Sequence, residues 1–286
     1  MTVRFEGVHT ALVTPFLPDE ALDLAAFRAL VRRQVEGGVH GLVVAGTTGE
    51  SPTLDPGERS ALLAIAREEA RGTEVRVTMG VGTNVTRSTV ANCVRAREEG
   101  ADAGLLVLPY YNKPTPQGLR AHVRAACETG LPIVVYHVPG RTGQRLAPEL
   151  LAELCNVPGV VACKEATGDV TYGQDVMLRT PVPVLSGDDF TWLPHLSVGG
   201  LGVISVLSNL APRDTVGVWD AWRSGDTALA AARHRRLYPL VHWLFSASNP
   251  VPAKAGLAAM GLCAATCRLP LTAGDAPPAG LVDGLS

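Results

Sequence analysis

The chain has little lysine, no Cys-x-x-Cys pair, no block of like charge and no apolar run long enough to span a bilayer. The missing apolar run argues against a membrane-spanning helix. A formal net charge of -2, without a basic or acidic stretch, gives no surface for nucleic acid or for a charged membrane. The six cysteines (Cys93, Cys127, Cys155, Cys163, Cys263, Cys267) lie scattered in apolar patterns without ligand spacing, so they read as reduced packing residues rather than metal ligands. The opening "MTVRFEGVHTALVTPF" lacks the basic, apolar and small-residue segments of a secretory leader. A cytoplasmic protein is expected, its partners small molecules or copies of itself.

What is present is a long aliphatic chain with a regular beat. At 286 residues, 47% hydrophobic and 18% charged, it can bury a sizeable core. Apolar runs recur as "VHTALVTP" from Val8, "GLVVAG" from Gly41, "RVTMG" from Arg76, "GLLVLP" from Gly104, "IVVYHV" from Ile133, "VVACKE" from Val160, "VPVLSG" from Val182 and "GVISV" from Gly202. Continuous Val, Ile and Leu runs fit strands covered on both faces, as in a parallel sheet.

Helical patterns with legible ends lie between them. Asp55, Pro56 and Glu58 spell a capping box ahead of Leu62, Ile65 and Ala66, and Thr115 and Pro116 repeat the start ahead of Leu119, Val123 and Cys127, with Gly130 as stop. Asp23 opens another helix, with Leu24, Phe27, Leu30, Val31 and Val35 expected inward. Eight strand and helix units close most economically as an α/β (β/α)8 TIM barrel. A doubly wound open sheet is the runner-up, but "TPFLPDE" after the first strand carries no glycine-rich dinucleotide fingerprint. The beat stops near residue 224, which predicts a catalytic barrel over 1–224 and a C-terminal helical appendage over 225–286 with a weakly ordered tail.

In such barrels the chemistry sits at the carboxyl ends of the strands. Those ends read "GTTGES", "PYYN", "YHVPGRTG", "KEATGD", "SGDD" and "SVLSN". Lys164 shares a face with Val160 and Ala162 by the two-residue period of a strand. Burial disfavours the ammonium form of a lysine and leaves a nucleophile for a carbonyl carbon. Such a residue is either a Schiff-base former or half of a salt bridge. With only Lys113, Lys164 and Lys254 in the chain, lysine is not used casually for solvation. The loop from Gly46 to Glu50 offers main-chain N–H groups and the hydroxyls of Thr47 and Thr48, suited to a carboxylate. Tyr136 offers a phenol as acid or base. Asp188 and Asp189 after the seventh strand would repel a phosphate.

Taken in order, "GTTGES", "PYYNKP", "YHVPGRTG", "KEATGD", "LSGDD", "GVISV" and "NPVPAK" resemble the dihydrodipicolinate synthase and N-acetylneuraminate lyase family of pyruvate-dependent class I aldolases, from about Gly7 to Pro270. The resemblance implies that Lys164 forms an imine with pyruvate, with Tyr136, Thr47 and Tyr111 as proton relay and Tyr111 lent by a neighbouring subunit. It implies that Thr48 holds the keto-acid carboxylate, with Ile204, Gly187 and Asp188 beside the substrates. No metal or other cofactor is implied beyond the covalent imine. Arg141 in "PGRTG" can grip a second carboxylate with two hydrogen bonds, which favours the branch that condenses pyruvate with aspartate 4-semialdehyde for lysine biosynthesis. A homotetramer of paired dimers is implied. His137 departs from the asparagine usual in that branch and is expected to pack locally. Pro56, Arg59 and Ser88 replace the two histidines and glutamate of lysine-inhibited members, so weak or absent lysine feedback is expected.

Overall fold

A computed structural model of the chain describes residues 5–285. Residues 1–4, part of the stretch read above for a leader, lie outside it. Eight strands alternate with helices: β1 (Gly7–Ala11), β2 (Gly41–Val44), β3 (Arg76–Gly80), β4 (Ala103–Val107), β5 (Ile133–His137), β6 (Val160–Glu165), β7 (Val184–Ser186) and β8 (Gly202–Ser205). They close in sequence order into one barrel. The pairs β1–β2, β3–β4, β4–β5, β5–β6, β6–β7 and β7–β8 run parallel. Parallel neighbours need a crossover, and helices supply it. These are α1 (Leu24–Glu36), α2 (Pro56–Glu69), α3 (Thr86–Glu98), α4 (Pro116–Cys127), α5 (Pro139–Thr142), α6 (Pro148–Cys155), α7 (Val170–Met177) and α8 (Trp192–Ser197), while α9 (Pro212–Arg223) follows the last strand. Two further helices, α10 (Thr227–Leu244) and α11 (Val251–Ala259), follow the barrel, and no helix or strand follows them among the described residues. None of the described helices is long and apolar enough to cross a membrane.

The chain condenses into two compact units, one of Thr78–Ile204 with the segment ending at Gly7, the other of Val8–Val77 with the chain from Ser205 onward. In the second unit, the Asp55 carboxylate accepts the Glu58 N–H while Glu58 reaches back to the Asp55 N–H, so the capping box at α2 is complete. Leu62, Leu63, Ile65 and Ala66 form its buried face.

The inner face of α1 differs from the reading above. Phe27, Leu30 and Val31 are buried, but Leu24 is exposed and Val35 half-buried, while Gln34 is wholly buried. The Gln34 amide accepts from the Thr10 hydroxyl at 2.7 Å and donates to the Ser208 carbonyl at 3.0 Å. A buried polar group is tolerated when its hydrogen bonds are met, and hydrophobic periodicity alone does not detect it.

In the first unit, Thr115 caps α4 through the Gly118 N–H, Leu119 and Val123 are buried, and Cys127 is only half-buried. Cys93, Cys155, Cys163 and Cys267 are buried, Cys263 is half-buried, and all six cysteines are free.

Candidate active site

The β5–β6 pair is built as two faces. Tyr136 lies opposite Lys164 in the register and His137 opposite Glu165. Alternation sends the first pair to one side of the sheet and the second pair to the other. His137 stacks on Tyr172 of α7, so the pair His137 and Glu165 faces the helices and Tyr136 and Lys164 take the inward face of the barrel. Both are buried, at 5% and 6% exposure. The Lys164 side-chain nitrogen Nζ sits 4.2 Å from the centroid of the Tyr136 ring and is paired with no carboxylate among the described residues. The salt-bridge alternative for Lys164 is therefore absent there.

Gly187, after β7, makes room for this amine. A Cβ added there would lie 2.6 Å from Ala166 Cβ and 2.8 Å from Lys164 Cε. Its N–H donates to the Glu165 carbonyl at 2.6 Å, which pins the loop against the end of β6. Asp188 is engaged locally: its carboxylate accepts the N–H groups of Phe190 at 2.7 Å and Thr191 at 3.3 Å as the chain turns toward α8. Ile204, in β8, is buried.

Behind the sheet lies a titratable cluster. Glu165 is buried, its carboxylate accepts the Thr167 N–H at 2.6 Å, and desolvation raises its pKa to about 7. The His137 ring stacks on Tyr172 at 5.8 Å between centroids, and neither ring nitrogen has a hydrogen-bond partner among the described residues. Its pKa falls to about 4, first through desolvation and then through the nearby Arg145. His195, in α8, is likewise buried without partners, its pKa lowered to about 4 by desolvation. A Cβ at Gly173 would meet both the His195 ring, at 2.9 Å, and the Glu165 carboxylate, at 3.5 Å, so glycine in α7 lets these groups approach. The position that departs from the family pattern, His137, is thus a packed and neutral ring.

Arg141 is exposed on the short helix α5, close after β5. Tyr111 is 89% exposed and held at a left-handed φ of 73°, with Asn112 beside it bonded to the Asn84 carbonyl at 2.8 Å. Within its own unit Tyr111 is thus presented outward rather than gathered beside Lys164.

Thr47 and Thr48 belong to the other unit, on the loop after β2. Thr47 is half-buried and Thr48 is buried. The Thr48 hydroxyl accepts from the Asn249 side-chain amide at 2.9 Å. Glu50 closes the loop with a carboxylate bonded to Lys254 Nζ at 2.6 Å and to the Arg268 N–H at 2.9 Å. The side chains of Glu50 and Lys254 are wholly buried. Asn249, Lys254 and Arg268 had no assigned role in the sequence reading. A usable signal existed, since Lys254 interrupts the small apolar series "PAKAGLAA", where an unpaired charge could not be buried.

The closed parallel barrel carries a buried lysine against a tyrosine at the carboxyl ends of neighbouring strands, where barrel enzymes place their chemistry. Residues 4–276 match the model of the Dihydrodipicolinate synthetase family, and the chain belongs to that family. A 4-hydroxy-tetrahydrodipicolinate synthase of Magnetococcus marinus is 45% identical over 94% of this chain and 92% of its own length. The crystal structure of dihydrodipicolinate synthase from Thermotoga maritima superposes with a TM-score of 0.92 at 42% identity, covering 96% of this chain and 94% of that one. A monomeric dihydrodipicolinate synthase variant is as similar, with a TM-score of 0.92, 42% identity and coverage of 95% and 92%.

Proposed function

We propose that this chain is a Schiff-base lyase that condenses pyruvate with L-aspartate 4-semialdehyde to 4-hydroxy-tetrahydrodipicolinate, on the route to diaminopimelate and lysine. The observation that carries the reading is the buried Lys164 amine, free of any carboxylate partner among the described residues and seated on Tyr136. The family membership and the names of the relatives support it.

The chemistry follows from an amine at that place. The neutral nitrogen of Lys164 adds to the keto carbon of pyruvate, and the carbinolamine loses its hydroxyl as water once it has been protonated. The resulting iminium draws electrons from the methyl group, whose proton departs to give an enamine. The enamine carbon attacks the aldehyde carbon of the second substrate, and the new alkoxide takes up a proton. The amino group of that substrate then displaces the Lys164 nitrogen, closing the ring and returning the free lysine. Each stage moves a proton, and Tyr136 is the group against the lysine suited to carry it, with Thr47 and a partner's Tyr111 completing the relay.

In this reading Thr48 and its loop seat the pyruvate carboxylate, Arg141 grips that of the semialdehyde, and Ile204, Gly187 and Asp188 bound the site, with no metal or cofactor invoked. A tyrosine held out at 89% exposure suits donation to a second copy of the chain, which supports a homo-oligomer, a tetramer of paired dimers by family likeness.

The test is reduction with borohydride in the presence of pyruvate, followed by intact and peptide mass measurement, beside a condensation assay with the semialdehyde. A single reduced adduct on the peptide bearing Lys164, with turnover of the semialdehyde in preference to sialic or sugar acids, is expected. An unchanged mass or a tag on another side chain overturns the mechanism.

A further inference from the structure

The loop that carries Thr47 and Thr48 is bent in a way that costs energy unless its surroundings over-determine it. Ala45 and Glu50, at its two ends, both take left-handed backbone conformations, with φ of 50° and 53°. Local hydrogen bonds hold part of the shape: the Gly49 and Ser51 N–H groups both donate to the Gly46 carbonyl, and the Thr14 hydroxyl donates to the Gly49 carbonyl at 2.7 Å.

The rest comes from a segment some two hundred positions later. The Glu50 carboxylate receives Lys254 Nζ on one oxygen and the Arg268 N–H on the other. The Phe16 ring packs against both cations, 4.2 Å from Lys254 Nζ and 4.2 Å from the Arg268 guanidinium carbon. The Arg268 side chain also reaches the Glu58 carboxylate and the Thr53 carbonyl. A wholly buried ion pair is a poor way to gain stability, because desolvating two charges offsets most of their attraction. What it does supply is a fixed position for both partners.

Asn249 adds a direction. A threonine hydroxyl has one proton to give and two lone pairs to offer. Here the Asn249 amide donates to the Thr48 oxygen, and Thr48 makes no other side-chain hydrogen bond among the described residues, so its own proton remains to be given. A hydroxyl in that state is a donor aimed at an acceptor, which a carboxylate is.

We propose that Asn249 and the Glu50–Lys254 pair are positioning residues for keto-acid binding: the C-terminal segment fixes the loop after β2 and sets the Thr48 hydroxyl as a donor to the carboxylate of the bound keto acid. This rests on the reading of that loop as the carboxylate seat.

The experiment is a double-mutant cycle on pyruvate KM with the full-length protein, using N249A, T48V and the two together. Each single change raises pyruvate KM by about fivefold to thirtyfold, the factor that about 1–2 kcal/mol of lost hydrogen bonding produces, with kcat changed far less. The combined variant is no worse than T48V alone, because Asn249 acts through Thr48. The paired variant E50Q/K254M, which removes both charges and leaves neither buried alone, likewise raises pyruvate KM at a temperature below its melting point.

Additive effects of N249A and T48V, or a folded E50Q/K254M protein with an unchanged KM, overturn the inference. Borohydride trapping with pyruvate separates the two levels. If the unmodified protein gives no adduct on Lys164, the functional reading falls and this inference with it. If it is trapped normally and the variants keep its KM, only the positioning role falls.

Discussion

Replacing Gly187 with alanine should disable the amine without removing it. The added Cβ would stand 2.6 Å from Ala166 Cβ and 2.8 Å from Lys164 Cε. Carbon atoms in contact prefer about 3.5–4.0 Å, so about 1 Å must be found somewhere. The backbone gives little, since the Ala166 N–H is bonded to the His137 carbonyl at 3.0 Å and the Gly187 N–H to the Glu165 carbonyl at 2.6 Å. The lysine tail is the softer body and moves instead. Overpacking of this kind costs about 1–3 kcal/mol in stability. Displacing a reacting group by about 1 Å costs about a hundredfold in rate. The assay pairs chemical denaturation with the single-turnover rate of borohydride-trapped adduct formation from pyruvate. The expected outcome is a folded protein trapped about tenfold to a hundredfold more slowly. A folded G187A variant trapped at the unaltered rate would refute the claim that this glycine makes room for the lysine.

Three further outcomes are expected. R141A should raise KM for the semialdehyde about tenfold or more while leaving that for pyruvate in place, because only the second substrate's carboxylate loses a charge-assisted grip; steady-state kinetics with each substrate varied will check it. Added lysine at millimolar concentration should leave condensation largely uninhibited, since Ser88 offers no negative charge to its ammonium group; strong inhibition contradicts this. Stability should rise with pH between about 4.5 and 6.5: His137 and His195, lowered to about 4, each penalise the fold as pH drops below 6.5, by on the order of 3 kcal/mol at pH 4. Glu165, raised to about 7, acts the other way and loses its contribution as pH rises from 4.5 through 7, so two histidines outweigh one carboxyl; H137N should flatten the acid limb in melting curves taken across pH.

The barrel was legible because most strands are continuous aliphatic runs and several helix starts carry their own chemistry, as Asp55 with Glu58 and Thr115 with Pro116 show. Lys164 and Tyr136 could be placed on one rim because both stand near the carboxyl ends of their strands, and the family resemblance joined their roles. Leu24 was expected inward and Gln34 was passed over for the opposite reason. Their burial depends on what the next element presents, here the Thr10 hydroxyl and the Ser208 carbonyl, and no periodicity within α1 contains that information. The clamp on the β2 loop showed in the sequence only as the odd charge of Lys254 among small apolar residues, and its partner stayed hidden for the same reason on a larger scale, since Glu50 and Lys254 meet only after the intervening chain has folded.

The strand that ends on two ionisable residues makes sense when its faces are taken separately. Lys164 takes the inward face of the barrel and lies on an aromatic ring rather than on a carboxylate. Glu165, one residue on, points the other way, into a layer with His137 and His195 where burial favours the neutral forms of all three. Had the register slipped by one residue, the carboxyl would have taken the inward position and the amine would have been buried behind the sheet. The pairing of Val134 with Ala162, after a shift between Ile133 and Val134, sets that choice: it skips Val161 and brings Tyr136 level with Lys164. The irregularity in the β5–β6 ladder is therefore part of how the amine comes to face the inside of the barrel.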